Sequence, residues 1–130
     1  MDSQRQPIAT DAAPAAIGPY SQAVRHGGVL YCSGQIALDP QSGELVGGSV
    51  ADEARQCLRN LAAVCEAAGT NLSRALRLTV YTTELGEFAA INEAYLEFFA
   101  ADPPARAAVG VSALPKGVRV EIDAIVASAE

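Results

Sequence analysis

The sequence predicts an α+β domain in which two helices lie on one face of a sheet of five or six strands. Two observations carry this expectation. Leu76, Leu78, Val80 and Thr82 alternate with Arg77, Thr79, Tyr81 and Thr83. Val118, Val120, Ile122, Ala124 and Val126 likewise alternate with Arg119, Glu121 and Asp123, the period-two pattern of half-buried strands. Between them in type stands a segment where Ala54, Cys57, Leu58, Leu61, Val64, Cys65 and Ala68 recur with the 3.6-residue period of an amphipathic helix. Two helices can cover only one face of such a sheet, so the other face must meet solvent or another subunit.

Taken in order, residues 1–15 are polar and rich in Ala and Pro, and read as a loosely held arm. Runs at 20–24 and 29–36 flank His26-Gly27-Gly28, a turn signal, and predict a β-hairpin. Asp39-Pro40-Gln41-Ser42-Gly43 has the chemistry of a loop. Ser49 with Asp52 three residues later resembles a capping box, and Gly69 stands where a left-handed C-terminal cap favours glycine. The strand at 76–83 follows. A second helix is expected over 87–100, with Phe88, Ile91, Tyr95 and Phe99 on one stripe and Pro103-Pro104 ending it. Ala107, Val109 and Val111 then alternate with Arg106, Ala108 and Gly110, and Leu114-Pro115-Lys116-Gly117 forms a turn before the last strand. That turn predicts antiparallel pairing of the last two strands. With Val, Ile and Leu on the helix-covered face, Arg106, Arg119 and Glu121 are expected together on the other.

The chain of 130 residues (13.4 kDa) is one domain's worth, without internal repeat or low-complexity linker. Its net charge of −6 argues against a nucleic-acid or membrane binder, because phosphate surfaces attract basic patches. Half of the residues are hydrophobic, yet 5% are aromatic and 26 are Ala. A domain near this size buries about two-thirds of its unfolded surface, so this excess of small apolar side chains predicts an oligomer. The segment from Met1 to Pro7 has no apolar core of the kind a secretory signal needs, and no apolar run approaches a bilayer span. A cytosolic protein is expected, with Cys32, Cys57 and Cys65 as reduced thiols packed like small hydrophobes.

Several motifs fail on inspection. Gly43-Glu44-Leu45-Val46-Gly47-Gly48-Ser49 has phosphate-loop glycines without the lysine that such a loop needs. The one histidine, His26, falls in a turn with no nucleophile motif around any serine, and three cysteines without CxxC spacing make no usual zinc cluster. Arg106 is more informative. It is either a solvated strand-end arginine or a fork for a planar carboxylate, which its fixed donor geometry suits. Glu121 is either a charge partner for Arg119 or Arg106, or a general base. Tyr20 lies in a segment too polar for core and too specific for a tail. Asn92 interrupts an apolar stripe, and so either ties down a loop or reaches a site.

These segments together resemble a known family. Ala15-Ala16-Ile17-Gly18-Pro19-Tyr20-Ser21-Gln22-Ala23-Val24, Ser33-Gly34-Gln35-Ile36, Asn92 to Tyr95 with Phe98-Phe99, and the run from Pro104-Ala105-Arg106 through Leu114-Pro115-Lys116 to Val120-Glu121-Ile122-Asp123-Ala124-Ile125 resemble the RidA/YjgF family of imine deaminases. The resemblance covers nearly the whole chain from residue 8. It implies a chorismate-mutase-like mixed sheet of about six strands, assembled as a homotrimer with sites between subunits. It implies hydrolysis of 2-iminobutanoate and 2-iminopropanoate, products of pyridoxal-dependent dehydratases, to 2-oxo acids and ammonia, a control of metabolite damage. Arg106 would hold the substrate carboxylate and Glu121 would handle water or protons. Tyr20, Ser33, Gly34, Asn92 and the backbone at Ala108 would line the pocket. No metal or organic cofactor is implied, and no nucleic acid or membrane partner. Many relatives carry a cysteine where this chain has Ala108. The alternatives are a non-catalytic small-molecule-binding or chaperone-like trimer and, against the acidic charge, a ribonuclease.

Overall fold

The computed structural model describes residues 4–128. Six strands, β1 (Gln6–Ile8), β2 (Ala23–His26), β3 (Val29–Gln35), β4 (Ala75–Thr82), β5 (Ala105–Gly110) and β6 (Val120–Ala127), form one sheet. Its order is β1-β2-β3-β6-β4-β5. Helices α1 (Val50–Ala67) and α2 (Phe88–Leu96) pack on one face, as the alternation requires.

Local chemistry sets the element ends. The β2–β3 hairpin closes through Gly27 and Gly28, both in the left-handed region that a tight two-residue turn demands. The hairpin starts later than the sequence suggests: residues 20–22 are not strand, and the Tyr20 amide bonds instead to the Gly18 carbonyl. At the start of α1, Ser49 Oγ accepts from the Asp52 amide while Asp52 Oδ2 accepts from the Ser49 amide, a complete capping box. At its end, the amides of Gly69 and Thr70 bond to the carbonyls of Glu66 and Cys65, with Gly69 at φ 82°. Helix α2 stops at Leu96, short of the expected residue 100. The chain turns through residues 97–98, then passes Asp102 at φ 47°, and a residue preceding Pro103 is sterically excluded from continuing a helix.

The pairing of the last two strands differs from expectation. β5 runs parallel to β4 at the sheet edge, and β6 lies antiparallel between β3 and β4. A parallel pair needs a crossover, and α2 is that crossover, so β4-α2-β5 is a single unit. The turn at Leu114–Gly117 exists, with Lys116 and Gly117 both at positive φ. It carries the chain over the end of β4 instead of folding it back: the Val111 amide bonds to the Thr82 carbonyl on one side, and the Thr83 amide to the Arg119 carbonyl on the other. Strand β6 earns its central position by its side chains, since Val120, Ile122 and Val126 are fully buried and Ala124 nearly so.

Residues 4–15 are tied down, unlike the expected loose arm; residues 1–3 lie outside the described residues. β1 pairs with β2, and Ile8 and Ala13 are buried. The buried Gln22 side chain accepts from the Thr10 amide, and its two Nε2 hydrogens are shared among the carbonyls of Thr10, Ala13 and Pro14. One amide thereby supplies hydrogen bonds for a stretch without regular partners of its own. The three cysteines are free and buried, packed within the main core. The opposite face of the sheet is uncovered, and Tyr31 at 49% exposure and Val109 at 40% lie in strands there.

Candidate functional site

Two pockets, lying apart, hold all but Arg119 and Ala108 of the residues that the sequence singles out. The first, about 600 Å³, is lined by Asn92, Tyr95, Leu96, Phe99, Ala100, Pro103, Pro104 and Arg106. The second, about 350 Å³, is lined by Ile17, Tyr20, Ser33, Gly34, Pro115 and Glu121.

Arg106 does not share a face with Glu121, contrary to the expectation from alternation. In the parallel pairing Arg106 stands beside Leu78 and Ala108 beside Val80, and both partners are fully buried under the helices. Paired residues share a face, so Arg106 projects toward α2. There its Nη1 donates to Asn92 Oδ1 at 2.8 Å. Its Cζ lies 4.9 Å from the Phe88 ring centroid and 4.8 Å from that of Tyr95. The Asn92 amide, whose role spacing left open, thus meets Arg106 of β5. Among the described residues no carboxylate pairs with Arg106, and the residue is exposed. Its Nε and Nη2 have no hydrogen-bond partner among the described residues.

Glu121 lies on the uncovered face, opposite Tyr81 of β4. Burial holds its carboxyl above the usual range, and the neighbouring Asp123 charge adds to the effect. Tyr81 donates its hydroxyl to Asp123 Oδ2 at 3.1 Å. Gly34 explains itself here. A Cβ on this residue would overlap Glu121 Oε2 and come within 3.0 Å of Glu121 Cδ, so the carboxylate occupies the space that only glycine leaves. Ser33 and Gly34 fall where the β3–β6 register shifts, an irregularity that lets the backbone approach Glu121. Ser33 donates its hydroxyl to the Ser21 carbonyl at 2.6 Å, which leaves the oxygen's lone pairs for another partner. The Tyr20 hydroxyl accepts from the Ile17 amide at 3.3 Å, and the ring is 47% exposed beside the same pocket.

Arg119 joins neither pocket. It precedes β6 and reaches back to α1, where Glu53 accepts from its amide at 2.8 Å and from Nε at 2.6 Å, and the Gly48 carbonyl accepts from Nη2 at 2.6 Å. The three charges grouped by alternation therefore part company, because edge placement turns Arg106 toward α2 and a buried carboxylate claims Arg119. The sequence sets Phe88 and Tyr95 on the core stripe of α2, where they do pack, but does not show that both rings also flank Arg106. The signal was present: Phe88, Asn92 and Tyr95 stand at i, i+4 and i+7, one face of a helix with an amide in its middle. Among the described residues no group of three or more His, Cys, Asp or Glu could hold a metal ion.

The architecture defines a small α+β domain with an arginine pocket and a glutamate pocket on opposite sides of one sheet. The family described as endoribonuclease L-PSP matches residues 10–128, and the chain belongs to it, the RidA/YjgF family. It is 50% identical over 121 residues to the 2-iminobutanoate/2-iminopropanoate deaminase of Mus musculus, covering 93% of this chain and 90% of that protein. The solved structure of RidA from a Psychrobacter species superposes with a TM-score of 0.91 at 47% identity, covering 95% of this chain and 99% of that one. Escherichia coli TdcF, solved with bound serine, superposes with a TM-score of 0.90 at 43% identity, again over 95% of this chain and 99% of that one.

Proposed function

We propose that this protein hydrolyses 2-imino acids, 2-iminobutanoate and 2-iminopropanoate, to 2-oxo acids and ammonia, at sites completed between the subunits of a homotrimer in the cytosol. The observation that carries the reading is Arg106: an arginine fixed by one amide oxygen and two rings, without a carboxylate partner among the described residues. Such a group is built to receive a carboxylate, which arginine binds through two parallel hydrogen bonds. The bound serine in the structure of TdcF, a relative, is a ligand with that carboxylate.

The separation of the two pockets supports an assembled site. Arg106 and Glu121 stand two strands apart and three residues out of register. Strand spacing near 4.8 Å and a rise near 3.4 Å put their backbones roughly 14 Å apart, with side chains on opposite faces. A four-carbon imino acid spans only about 5 Å. One copy therefore supplies Arg106, Asn92 and Ala108, and a neighbour supplies Tyr20, Ser33, Gly34 and Glu121.

The chemistry asks little. Water adds to the electrophilic carbon of the protonated imine while Glu121 takes one of its protons, giving a neutral carbinolamine. Glu121 then returns that proton to the amino nitrogen; as the C–N bond breaks and ammonia leaves, the Glu121 carboxylate takes the hydroxyl proton, the carbonyl forms, and that proton passes to the departing ammonia. The raised proton affinity of Glu121 suits both steps, and a placed acid–base group typically gives about 10²–10⁴-fold. The test is to generate iminopropanoate from serine with a dehydratase and follow pyruvate release with and without this protein. Acceleration is expected; its absence favours a non-catalytic binding trimer. Incubation with RNA is expected to leave it intact, in line with the net charge of −6.

A further inference from the structure

Helix α2 has two duties along one apolar stripe. Ile91 is fully buried and Phe99 nearly so, and both belong to the core. Tyr95, also a core residue at 6% exposure, and Phe88, half-buried against the same core, in addition bring a ring within 5 Å of the Arg106 guanidinium carbon, inside the roughly 6 Å reach of a cation–π contact. Tyr95 is itself fixed from behind by Phe99, whose ring centroid lies 4.7 Å away at 43°. Its hydroxyl is buried and has no hydrogen-bond partner among the described residues. The phenol oxygen therefore secures nothing, and the part of Tyr95 in use is its ring.

We infer that Tyr95 is a positioning residue: its ring, with that of Phe88, holds the Arg106 guanidinium in the plane that receives the substrate carboxylate. The inference rests on the reading of Arg106 as the carboxylate fork and adds to it the means by which the fork is kept in place. An arginine has several rotatable bonds, and whatever freedom it retains is lost when a ligand binds. Two aromatic walls and the Asn92 oxygen remove that freedom beforehand, which strengthens binding without touching the reacting carbon. The effect belongs in KM rather than kcat.

The experiment compares ring-keeping and ring-removing variants of the full chain in the iminopropanoate assay, with oligomer size and thermal unfolding followed alongside. Tyr95→Phe keeps the ring and is expected to keep the normal KM. Tyr95→Leu keeps an apolar side chain, smaller and without a π face, and is expected to raise KM roughly 3- to 30-fold, with kcat changed less than about twofold. Phe88→Leu should act in the same direction. If Tyr95→Leu is insoluble, Tyr95→Met provides a flexible apolar replacement for the same comparison. A normal KM in the folded ring-free variant overturns the inference, as does a Tyr95→Phe protein as impaired as Tyr95→Leu. Arg106→Ala separates the two levels. Full activity in that variant removes the carboxylate fork itself, whereas an inactive Arg106→Ala beside a normal Tyr95→Leu removes only the cradle.

Discussion

Arg106 and Arg119 sit thirteen residues apart in the chain, near the starts of β5 and β6, the two strands that flank β4 on either side, and their surroundings give them opposite work. Arg119 has its amide and Nε committed to Glu53 and its Nη2 shared between Glu53 and the Gly48 carbonyl. It joins the start of β6 to the start of α1. Arg106 is restrained as firmly, but by rings and a neutral amide, which fix its position and leave its charge uncompensated. An arginine whose charge is answered within the chain is structural; one that is oriented yet unanswered waits for an anion from outside.

Exchanging alanine into each position tests this contrast most severely. Arg106→Ala is expected to lower kcat/KM for imine hydrolysis roughly 100- to 1000-fold, the loss of two charge-assisted hydrogen bonds, with little change in unfolding temperature. Arg119→Ala should do the reverse. It leaves a Glu53 side chain that is 8% exposed with the residue-119 amide but no counter-charge, which costs about 2–4 kcal/mol of stability in denaturant titration while the folded protein stays active. An Arg119→Ala enzyme that is stable and inactive would break the comparison.

The glutamate half is the next target. Gly34→Ala places a methyl group where the Glu121 carboxylate lies, so the carboxylate must swing away. A loss of kcat on the order of 10²-fold is expected, approaching that of Glu121→Gln, with KM changed less. The cheapest alternative, a backbone shift at the β3 irregularity, would show as normal kcat.

How far the sequence carried these conclusions depends on which interactions are local. The capping box, the glycine turn between β2 and β3, and the alternation of β6 are set by neighbours in the chain, and the structure reproduces them. The partner of β5 is not local. The alternation over 106–111 says that a strand exists and nothing about whether it meets β4 or β6, so the parallel pairing was invisible. The same gap misplaced Arg106, since the face it occupies follows from that pairing. The arm differs for another reason, because its partners lie further along the chain: strand β2 for Gln6–Ile8 and the buried Gln22 side chain for Thr10, Ala13 and Pro14. Asn92 was legible as an anomaly in a stripe; its meaning required Arg106 to arrive from another strand.

The pH profile sharpens the glutamate side. Burial and then Asp123 hold the Glu121 proton above the ordinary carboxyl range. Because the ionised form accepts the proton from water, activity should fall as pH falls through that raised value. Asp123→Asn removes the charge while retaining an acceptor for the Tyr81 hydroxyl. The acid limb of the kcat/KM profile is therefore expected to move to lower pH. A limb that moves up or stays fixed would mean that Asp123 does not act on Glu121.

The smallest effect is expected at Ala108, where many relatives have a cysteine. The residue shares a face with Arg106, is exposed, and pairs with Val80 at the edge strand. Its side chain is a methyl group with no chemistry to offer, so any contribution must come through its backbone. A thiol added there would meet an arginine already positioned from α2 and, in the proposed assembly, a neighbour's Glu121. Ala108→Cys is thus expected to change kcat/KM by less than about threefold, within the range of an exposed substitution. A gain of a hundredfold would show that a thiol belongs in the reaction, and that Arg106 and Glu121 do only part of the work in its absence.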